Sequence, residues 1–391
     1  MGMLDGIRVL SLNHFLLGPL AAQILGDLGA EVVMVEPPGG SFSRNWAGGD
    51  IRLNGTSVFY LCAHRNKRSV AVNLKSADGR EVVRKLIGES DVLMENYRPG
   101  VLDRMGLGYD DVRALNPALI YASGSGWGSS GPYAAKPGQD LLMQAFTGLA
   151  QTCGRERPTA AGASIVDHHG GMVLAAAVMA ALIARFRDGK GRRVEVDLMS
   201  AAIDLQVEPL VAWLNGGAGR STRPTADVAG WTYPAPYGIY AARDGHVALS
   251  LGPLEKMADV LGDDRLRSFT DADCWTRRDE VAGVFADAIA HMTVARVVGG
   301  FEAAGLWAAP VNDFDALEKD PQVRHNGIFE DVELPNGDRV RLVRHPASYD
   351  GERPGTRIAP PGLGADTDAI LGDLGYDAAA IAALRQAGAV A

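Results

Sequence analysis

One aspartate in the middle of the sequence stands where a carboxylate could do chemistry. Residues 163–172 read Ala-Ser-Ile-Val-Asp-His-His-Gly-Gly-Met, which places Asp167 just before a long apolar run. An aspartate at the start of a helix is a preferred N-cap, and the helix dipole favours its ionised form. An ionised carboxylate beside small residues is also a candidate nucleophile. The local residues leave both roles open and favour the cap.

Basic residues concentrate in the first third of a chain whose net charge is -9. They are His64, Arg65, Lys67, Arg68, Lys75, Arg98 and Arg104, followed later by Lys136. A local group of cations in an acidic protein is typical of a polyphosphate site, and a solvated face with scattered ion pairs is the alternative. The overall negative charge argues against nonspecific binding of nucleic acid.

Other common sites are not indicated. The adjacent pair His168-His169 would point in different directions from a helix, and no Cys/His/Asp set has zinc spacing, so we predict no metal site. Ser125 lacks the following helix of a hydrolase nucleophile elbow. Residues 126–131 match Gly-x-Gly-x-x-Gly, but Pro132 and Pro137 prevent the helix that a dinucleotide site needs.

Nothing in the sequence predicts export or insertion into a membrane. The first residues lack the basic flank and cleavage site of a signal peptide. The apolar run 172–183 is too short to cross a bilayer, so we interpret it as a core helix. The cysteines form no disulfide framework, which fits a reducing compartment. We therefore expect a cytoplasmic protein.

The elements that would position these residues alternate between strands and helices. Short apolar runs predict strands at 7–12, 30–35, 91–96, 118–123 and 192–198, and helical spacing predicts helices at 19–28, 76–88, 102–115, 140–149 and 200–214. The first strand, helix and strand predict a right-handed βαβ unit in a parallel sheet. The fold class is therefore α/β.

The second half of the chain indicates a further, smaller domain. Hairpins are predicted at 243–245 and at 336–337, where Arg-Asp-Gly and Asn-Gly separate strand-like runs. Residues 353–364 carry three prolines and predict an extended crossing segment. We therefore expect a large domain over 1–215, a linker over 216–230, a small α+β domain over 231–318 and a return segment over 319–391 that completes the large domain.

Short blocks run in order along nearly the whole chain. They are Gly18-Pro19, 28–32 and 35–40, Asn66-Lys67-Arg68-Ser69, Asn73-Leu74-Lys75, Glu95-Asn96-Tyr97-Arg98-Pro99-Gly100, 106–109, Asn116-Pro117, Gly131-Pro132-Tyr133, Asp140, Gly162 with Asp167, and Pro360-Pro361 with Leu363-Gly364. This pattern resembles the family III CoA-transferases, the CaiB/BaiF type that includes formyl-CoA transferase and α-methylacyl-CoA racemase. The resemblance implies an interlocked homodimer whose Rossmann-like large domain is built from both chain ends.

The resemblance also implies a site. It assigns CoA contacts to His14, Leu16, Leu17, Val72, Asn73, Leu74, Lys75, Asn96, Tyr97, Arg98, Arg104, Lys136, Gln139 and Asp140. CoA and acyl-CoA are then substrates, and no cofactor is bound permanently. Asp167 becomes the nucleophile that forms an aspartyl–acyl anhydride and then an aspartyl-CoA thioester. We expect backbone N–H groups of Gly170-Gly171 or of residues 124–131 to stabilise the oxyanions.

Two alternatives stay open beside the transferase. The racemase branch uses a histidine in a Gly-His-Asp setting, and this chain has Gln139 there, which cannot take a proton. A non-catalytic CoA-binding subunit of a heteromeric transferase is the second alternative, and the presence of Asp167 argues against it.

The acyl group is expected to be apolar and larger than formyl or oxalyl. Residues 226–237 lack the glycine-run lid of formyl-CoA transferases. A hydrophobic surface for the acyl group is predicted by Leu16 and Leu17 and by three aromatic residues, Trp127, Trp231 and Tyr233. The alternative is that the aromatic residues are core or dimer contacts.

Overall fold

The computed structural model describes residues 2–154, 156–216 and 223–391. The chain divides into two compact units. The large unit combines residues 2–143, 163–205 and 324–391, and the small unit combines 144–162 with 206–323. The large unit is thus assembled from both ends of the chain. The predicted linker 216–230 lies partly outside the described residues.

The elements of the described residues are as follows. The strands are β1 (Arg8–Leu12), β2 (Glu31–Glu36), β3 (Arg52–Leu53), β4 (Thr56–Ser57), β5 (Arg68–Ala71), β6 (Val92–Glu95), β7 (Ile120–Ser125), β8 (Arg192–Asp197), β9 (Gly238–Ala242), β10 (Gly245–Leu249), β11 (Ala308–Pro310), β12 (Phe329–Glu333) and β13 (Arg339–Val343). The α-helices are α1 (Leu17–Asp27), α2 (Phe42–Asn45), α3 (Val58–Leu61), α4 (Ala77–Gly88), α5 (Tyr109–Leu115), α6 (Asp140–Phe146), α7 (Leu149–Thr152), α8 (Ile165–Asp188), α9 (Leu198–Asp204), α10 (Val207–Leu214), α11 (Leu254–Leu261), α12 (Asp273–Thr276), α13 (Arg278–Ala290), α14 (Val294–Ala303), α15 (Phe314–Lys319), α16 (Pro321–His325), α17 (Thr367–Asp373) and α18 (Ala378–Gln386).

A six-stranded sheet in the order β5-β2-β1-β6-β7-β8 forms the centre of the large unit. All five neighbouring pairs are parallel, which confirms the predicted α/β class. The strand order reverses between β1 and β6, because the chain first builds outward on one side of β1 and then on the other. Ligands of open α/β sheets bind beyond the carboxyl ends of the strands at such a reversal. The fold therefore predicts a ligand site at the residues that follow β1 and β6.

Helix α8 buries one face against α1, α9, β7 and β8 of the large unit. It is 24 residues long and, by length and composition, sufficient to cross a membrane, so the expectation that its apolar run is too short is wrong. The helix extends at both ends beyond the run 172–183 through polar and small residues. A core helix of a soluble protein meets the same criterion, and the contacts of α8 are those of a core helix.

The return segment covers the outer edge of β5. Asp366 accepts a hydrogen bond from the backbone N–H of Ser69 at 2.8 Å, and Thr367 Oγ1 accepts one from Ala71 N at 3.2 Å. An exposed edge strand would leave these groups unpaired. The return segment thereby completes the sheet.

Three of the predicted helices are interrupted, because 140–149 breaks after Phe146 and 200–214 breaks after Asp204, as 102–115 also does. Both hairpins form, with Gly245 paired to Ala242 and Arg339 paired to Glu333. The predicted helix 102–115 is broken, because Gly106 takes a left-handed conformation with φ of 67° and ends a short 3₁₀ turn. Only Tyr109–Leu115 is α-helical there.

Candidate active site

Asp167 lies inside the first turn of α8 and is not its N-cap. The helix begins at Ile165 after Ser164, so Asp167 is the third helical residue. The cap is supplied from elsewhere in the chain, because Asp140 Oδ2 accepts hydrogen bonds from Val166 N at 2.7 Å and Asp167 N at 3.0 Å. The carboxylate of Asp167 is therefore not used in capping.

The carboxyl group of Asp167 is half-buried. Loss of hydration, with a smaller contribution from the negative charge of Asp140, raises the pKa of Asp167 to about 7. Burial thus outweighs the helix dipole, which is expected to favour the ionised form of this group. The N–H groups that would have stabilised its charge already serve another carboxylate.

The N–H groups at the start of α8 all have acceptors. Ile165 N donates to Ala163 O at 2.8 Å and His168 N to Ser164 O at 3.1 Å, while the two between them bind Asp140. Gly170 and Gly171 lie further inside the helix, where their N–H groups belong to its ladder. The expectation that these two glycines supply an oxyanion hole is therefore wrong, and residues 124–131 remain the predicted donors.

The two glycines instead allow α8 to approach α1. A Cβ atom on Gly170 would stand 2.7 Å from Leu17 Cδ1, and one on Gly171 would stand 3.0 Å from Leu17 O. Both distances are shorter than side chains normally tolerate. Because Leu17 opens α1 and Asp167 lies one turn before Gly171, the first turns of the two helices are neighbours.

The turn after β1 is held by the residue after β6. Asn96 Oδ1 accepts a hydrogen bond from His14 N at 2.6 Å, and Asn96 Nδ2 donates to His14 O at 2.7 Å. The His14 ring packs edge-on against Tyr97 with centroids 4.5 Å apart. Glu95 Oε2 fixes the segment after β6 by accepting a hydrogen bond from Tyr97 N at 2.9 Å. These predicted site residues meet at the reversal of the sheet order.

Glu95 is a buried titratable residue that sequence reasoning missed. Its side chain lies at the carboxyl end of β6, and loss of hydration raises the pKa of Glu95 to about 7. A cavity of about 170 Å³ opens beside it, lined also by Arg98, Tyr121 and Arg193. Its position as the last residue of a buried apolar strand was the only signal in the sequence.

The predicted basic cluster is divided by the fold into buried and exposed groups. Arg65 Nη2 lies 2.6 Å from Asp27 Oδ2 in a buried ion pair. Lys67 is fully buried and donates to Pro19 O and Ala63 O, and burial lowers the pKa of Lys67 to about 7. These cations hold the large unit together, so their predicted role in a polyphosphate site is wrong.

The exposed cations are Lys75, Arg98, Arg104 and Lys136. Within the described ranges, the side chains of the first three form no hydrogen bond or ion pair. Lys136 Nζ stacks over the ring of Tyr133, 3.6 Å from its centroid. Cations without a carboxylate partner are available to an anionic ligand.

The other residues predicted to contact CoA differ in how far they are exposed. Leu16, Leu17 and Val72 are buried apolar side chains, and Gln139 is exposed. Asn73 shapes its own loop, because its Oδ1 accepts from Lys75 N at 3.1 Å. Leu74 is half-buried beside it.

A group of aromatic side chains beside the turn, three of them exposed and one half-buried, was also missed. It consists of Phe15, Phe42, Trp46 and Phe59, which we call the aromatic patch. The rings of Phe15 and Phe42 lie 4.6 Å apart, and those of Trp46 and Phe59 lie 4.8 Å apart. Phe15 has φ of 58°, which is uncommon for a bulky residue and is found at functional sites. The segments around 42–61 have no helical or strand periodicity, so this patch could not be predicted from local patterns.

The two histidines after Asp167 differ in their surroundings. His169 Nε2 lies 2.7 Å from Asp204 Oδ2 and ties α8 to α9. Loss of hydration lowers the pKa of His168, which keeps its ring neutral at neutral pH. His169 is thus a packing contact of α8 with α9.

Comparison with known proteins identifies the chain. The model of CoA-transferase family III matches residues 4–367. An acyl-CoA transferase of Fusarium pseudograminearum is 34% identical over 100% of this chain and 88% of its own length. Succinyl-CoA:glutarate CoA-transferase of Mus musculus is 32% identical over 99% and 90% of the two chains. A CaiB/BaiF family protein from Brucella suis superposes with a TM-score of 0.84 at 28% identity, covering 95% of this chain and 99% of that one. The chain therefore belongs to CoA-transferase family III and is an acyl-CoA:carboxylate CoA-transferase.

Proposed function

We propose that this enzyme moves CoA from an acyl-CoA to a free carboxylic acid through covalent intermediates on Asp167. The observation that carries the proposal is the position of this carboxyl group. It stands in the first turn of α8, it caps nothing, and its pKa is raised to about 7. Through Gly170 and Gly171 that turn packs against the start of α1, which follows the turn that Asn96 holds.

The donor half-reaction uses two displacements. An Asp167 oxygen attacks the thioester carbonyl, the C–S bond breaks, and the electron pair leaves on the CoA thiolate. The thiolate then attacks the carboxyl carbon of Asp167 in the anhydride, and the donor acid leaves as a carboxylate. The enzyme now carries a thioester between Asp167 and CoA.

The acceptor half-reaction reverses these steps with a second acid. The acceptor carboxylate attacks the aspartyl-CoA thioester, the thiolate leaves, and a new anhydride forms. The thiolate attacks the acyl carbonyl of that anhydride, which releases the new acyl-CoA and regenerates the Asp167 carboxylate. No water is consumed, and no external proton is required.

The environment of Asp167 favours the covalent intermediates. Loss of hydration and the nearby charge of Asp140 both disfavour the ionised side chain. Acylation removes the charge, so it relieves both penalties. The same penalties would be absent for a carboxylate in water, which would form the anhydride less readily.

The exposed cations fit the phosphate groups of CoA. Lys75, Arg98 and Arg104 follow β5 and β6 in the chain, beyond the carboxyl ends of those strands. Charge-assisted hydrogen bonds from such side chains are the usual means of binding phosphate.

The aromatic patch supports an apolar acyl group. Leu16 and Leu17 are buried in the large unit, so the exposed apolar surface at the turn belongs to Phe15 and its aromatic neighbours. Arg44 lies on α2 beside Phe42, but Glu36 neutralises its charge. Arg44 Nε and Nη2 each donate a hydrogen bond of 2.7 Å to one carboxylate oxygen of Glu36. A branched or aryl acyl group therefore suits this surface better than an acyl group that ends in a second carboxylate. A panel of acyl-CoA donors, read by mass, should give a higher kcat/KM for such groups than for succinyl-CoA.

We also propose a homodimer as the working form. Along α8 the side chains of Met172, Ile183 and Phe186 are 49%, 53% and 70% exposed. A second copy of the chain would cover this apolar face, which is unusual on a monomer. Light scattering at micromolar concentration should report twice the mass of one chain, and a monomer with full activity would refute this part.

The substitution Asp167→Ala tests the mechanism. We expect loss of CoA exchange between an acyl-CoA and a free acid, with CoA still bound. Unchanged turnover would remove Asp167 from the chemistry. Loss of CoA binding together with activity would show that the substitution disturbs the fold, and Asp167→Asn then replaces it.

A further inference from the structure

We propose that residues 388–391 position the loop that presents Lys75 to CoA, so that this segment and CoA stabilise each other. The inference rests on the proposed function, because it takes the loop 72–75 to be part of the CoA site. The segment touches the chemistry only through that loop. It is therefore a positioning element and contains no catalytic residue.

The segment pairs with the chain just beyond the edge strand β5. Val390 forms an antiparallel bridge with Val72. Asn73 N donates to Ala389 O at 2.8 Å, and Ala391 N donates to Ala71 O at 3.1 Å. These two hydrogen bonds flank the bridge and continue the sheet edge by one short strand.

A side chain carries the contact from the segment to Lys75. Asn73 Nδ2 donates to Gly388 O at 3.0 Å, while its Oδ1 accepts from Lys75 N at 3.1 Å. One amide group therefore joins the two stretches of backbone. Moving Gly388 would move Asn73, and Lys75 would follow.

Burial fixes the segment in place. Ala389 and Val390 are 0% and 4% exposed, and Val390 belongs to the same core as Leu10 and Leu93 of the central sheet. Lys75 is exposed at the other end of the connection. The loop thus joins a rigid core to a cation at the surface, which is how a binding side chain is held ready for its ligand.

Reciprocal coupling follows from thermodynamic linkage. If the segment raises the affinity of the loop for CoA, CoA raises the stability of the segment by the same factor. Bound CoA should therefore slow hydrogen exchange of the amides of Asn73 and Ala391, the second of which lies outside the proposed CoA loop 72–75.

The test removes one hydrogen bond from the segment. Ala391→Pro lacks the N–H that binds Ala71 O, whereas Ala391→Gly keeps it and is the matched control. We expect Ala391→Pro to raise the KM for acyl-CoA about fivefold with unchanged kcat, and Ala391→Gly to behave as the unmodified enzyme. Arg385→Ala, which removes the exposed pair with Asp368, controls for general loosening of α18.

A double-mutant cycle separates positioning from a loss of stability. In a Lys75→Ala background, Ala391→Pro should no longer change the KM, because the side chain it acts through is absent. Equal effects in both backgrounds would overturn the inference, as would an unchanged KM in Ala391→Pro with CoA bound normally. If the unmodified enzyme failed to bind CoA, the proposed function itself would fail, which is a different result.

Discussion

The carboxylate of Asp140 caps the helix that carries Asp167. Its Oδ2 atom accepts the N–H of Asp167 at 3.0 Å, and its negative charge contributes to the raised pKa of the Asp167 side chain. One residue thus fixes the backbone of the proposed nucleophile and raises the pKa of its carboxyl group. The two effects can be separated, because an amide oxygen can replace the acceptor but not the charge.

The substitution Asp140→Asn should lower the pKa of Asp167, although not to its ordinary value, because loss of hydration is the larger cause. In the proposed mechanism the carboxylate is the reactive form, so the acid limb of kcat/KM against pH should move to lower pH. Asp140→Ala also removes the cap and should lower the free energy of unfolding by about 1–2 kcal/mol. An identical pH profile in Asp140→Asn would contradict this role.

The substitution Asp167→Asn should stabilise the protein at alkaline pH. The folded protein keeps the Asp167 proton up to about pH 7, while the unfolded chain releases it near the ordinary pKa. The folded state therefore binds more protons between these values, and its stability falls as the pH rises through this window. After allowance for solvent screening of a half-buried group, we expect a gain of about 1–2 kcal/mol at pH 8 and little gain at about pH 4. Urea unfolding at both pH values measures the gain in the free energy of unfolding. A gain that does not depend on pH would contradict the raised pKa of Asp167.

The substitution Asn96→Ala should weaken the binding of acyl-CoA. It removes both hydrogen bonds to the backbone of His14, so the turn after β1 loses its support. We expect the KM for acyl-CoA to rise about tenfold. Asn96→Asp keeps the acceptor and loses the donor, so its effect should be intermediate; equal KM values in all three proteins would show that the turn is held otherwise.

The substitutions Arg98→Ala and Arg104→Ala should raise the KM for acyl-CoA about fivefold each and leave the KM of the acceptor acid unchanged. The effect should shrink as ionic strength rises, because both side chains are exposed. Arg68→Ala is the control, since Arg68 lies 3.0 Å from Glu31 in an ion pair. A larger rise in the KM for acyl-CoA in Arg68→Ala than in the other two variants would show that the CoA phosphates bind elsewhere.

Much of the architecture could be predicted from local patterns. The strands before His14 and Asn96 are apolar runs between turn signals, so their existence follows from periodicity, and their membership of a parallel sheet follows from the alternation of strands with helices. The hairpin at 243–245 follows from its turn residues. Both kinds of signal come from residues that are close in sequence, so they can be recognised without knowledge of the fold.

The finer features of the site depend on contacts between distant residues. The cap of α8 comes from Asp140, 27 residues earlier, so Asp167 alone looked like the cap. Lys67 looked like a surface cation but lies against the carbonyls of Pro19 and Ala63. Burial decides the pKa of both groups, and burial is a property of the folded chain.

If both acids pass through an anhydride with Asp167, labelled oxygen from the acceptor acid must reach the carboxyl group of Asp167. With an acceptor acid whose carboxylate oxygens are ¹⁸O, the bridging oxygen of the second anhydride comes from the acceptor and stays on Asp167 when the acyl group returns to CoA. Mass spectrometry of the peptide that contains Asp167 should therefore find ¹⁸O in its carboxyl group after turnover. Formation of the new acyl-CoA with no label in Asp167 would contradict the account.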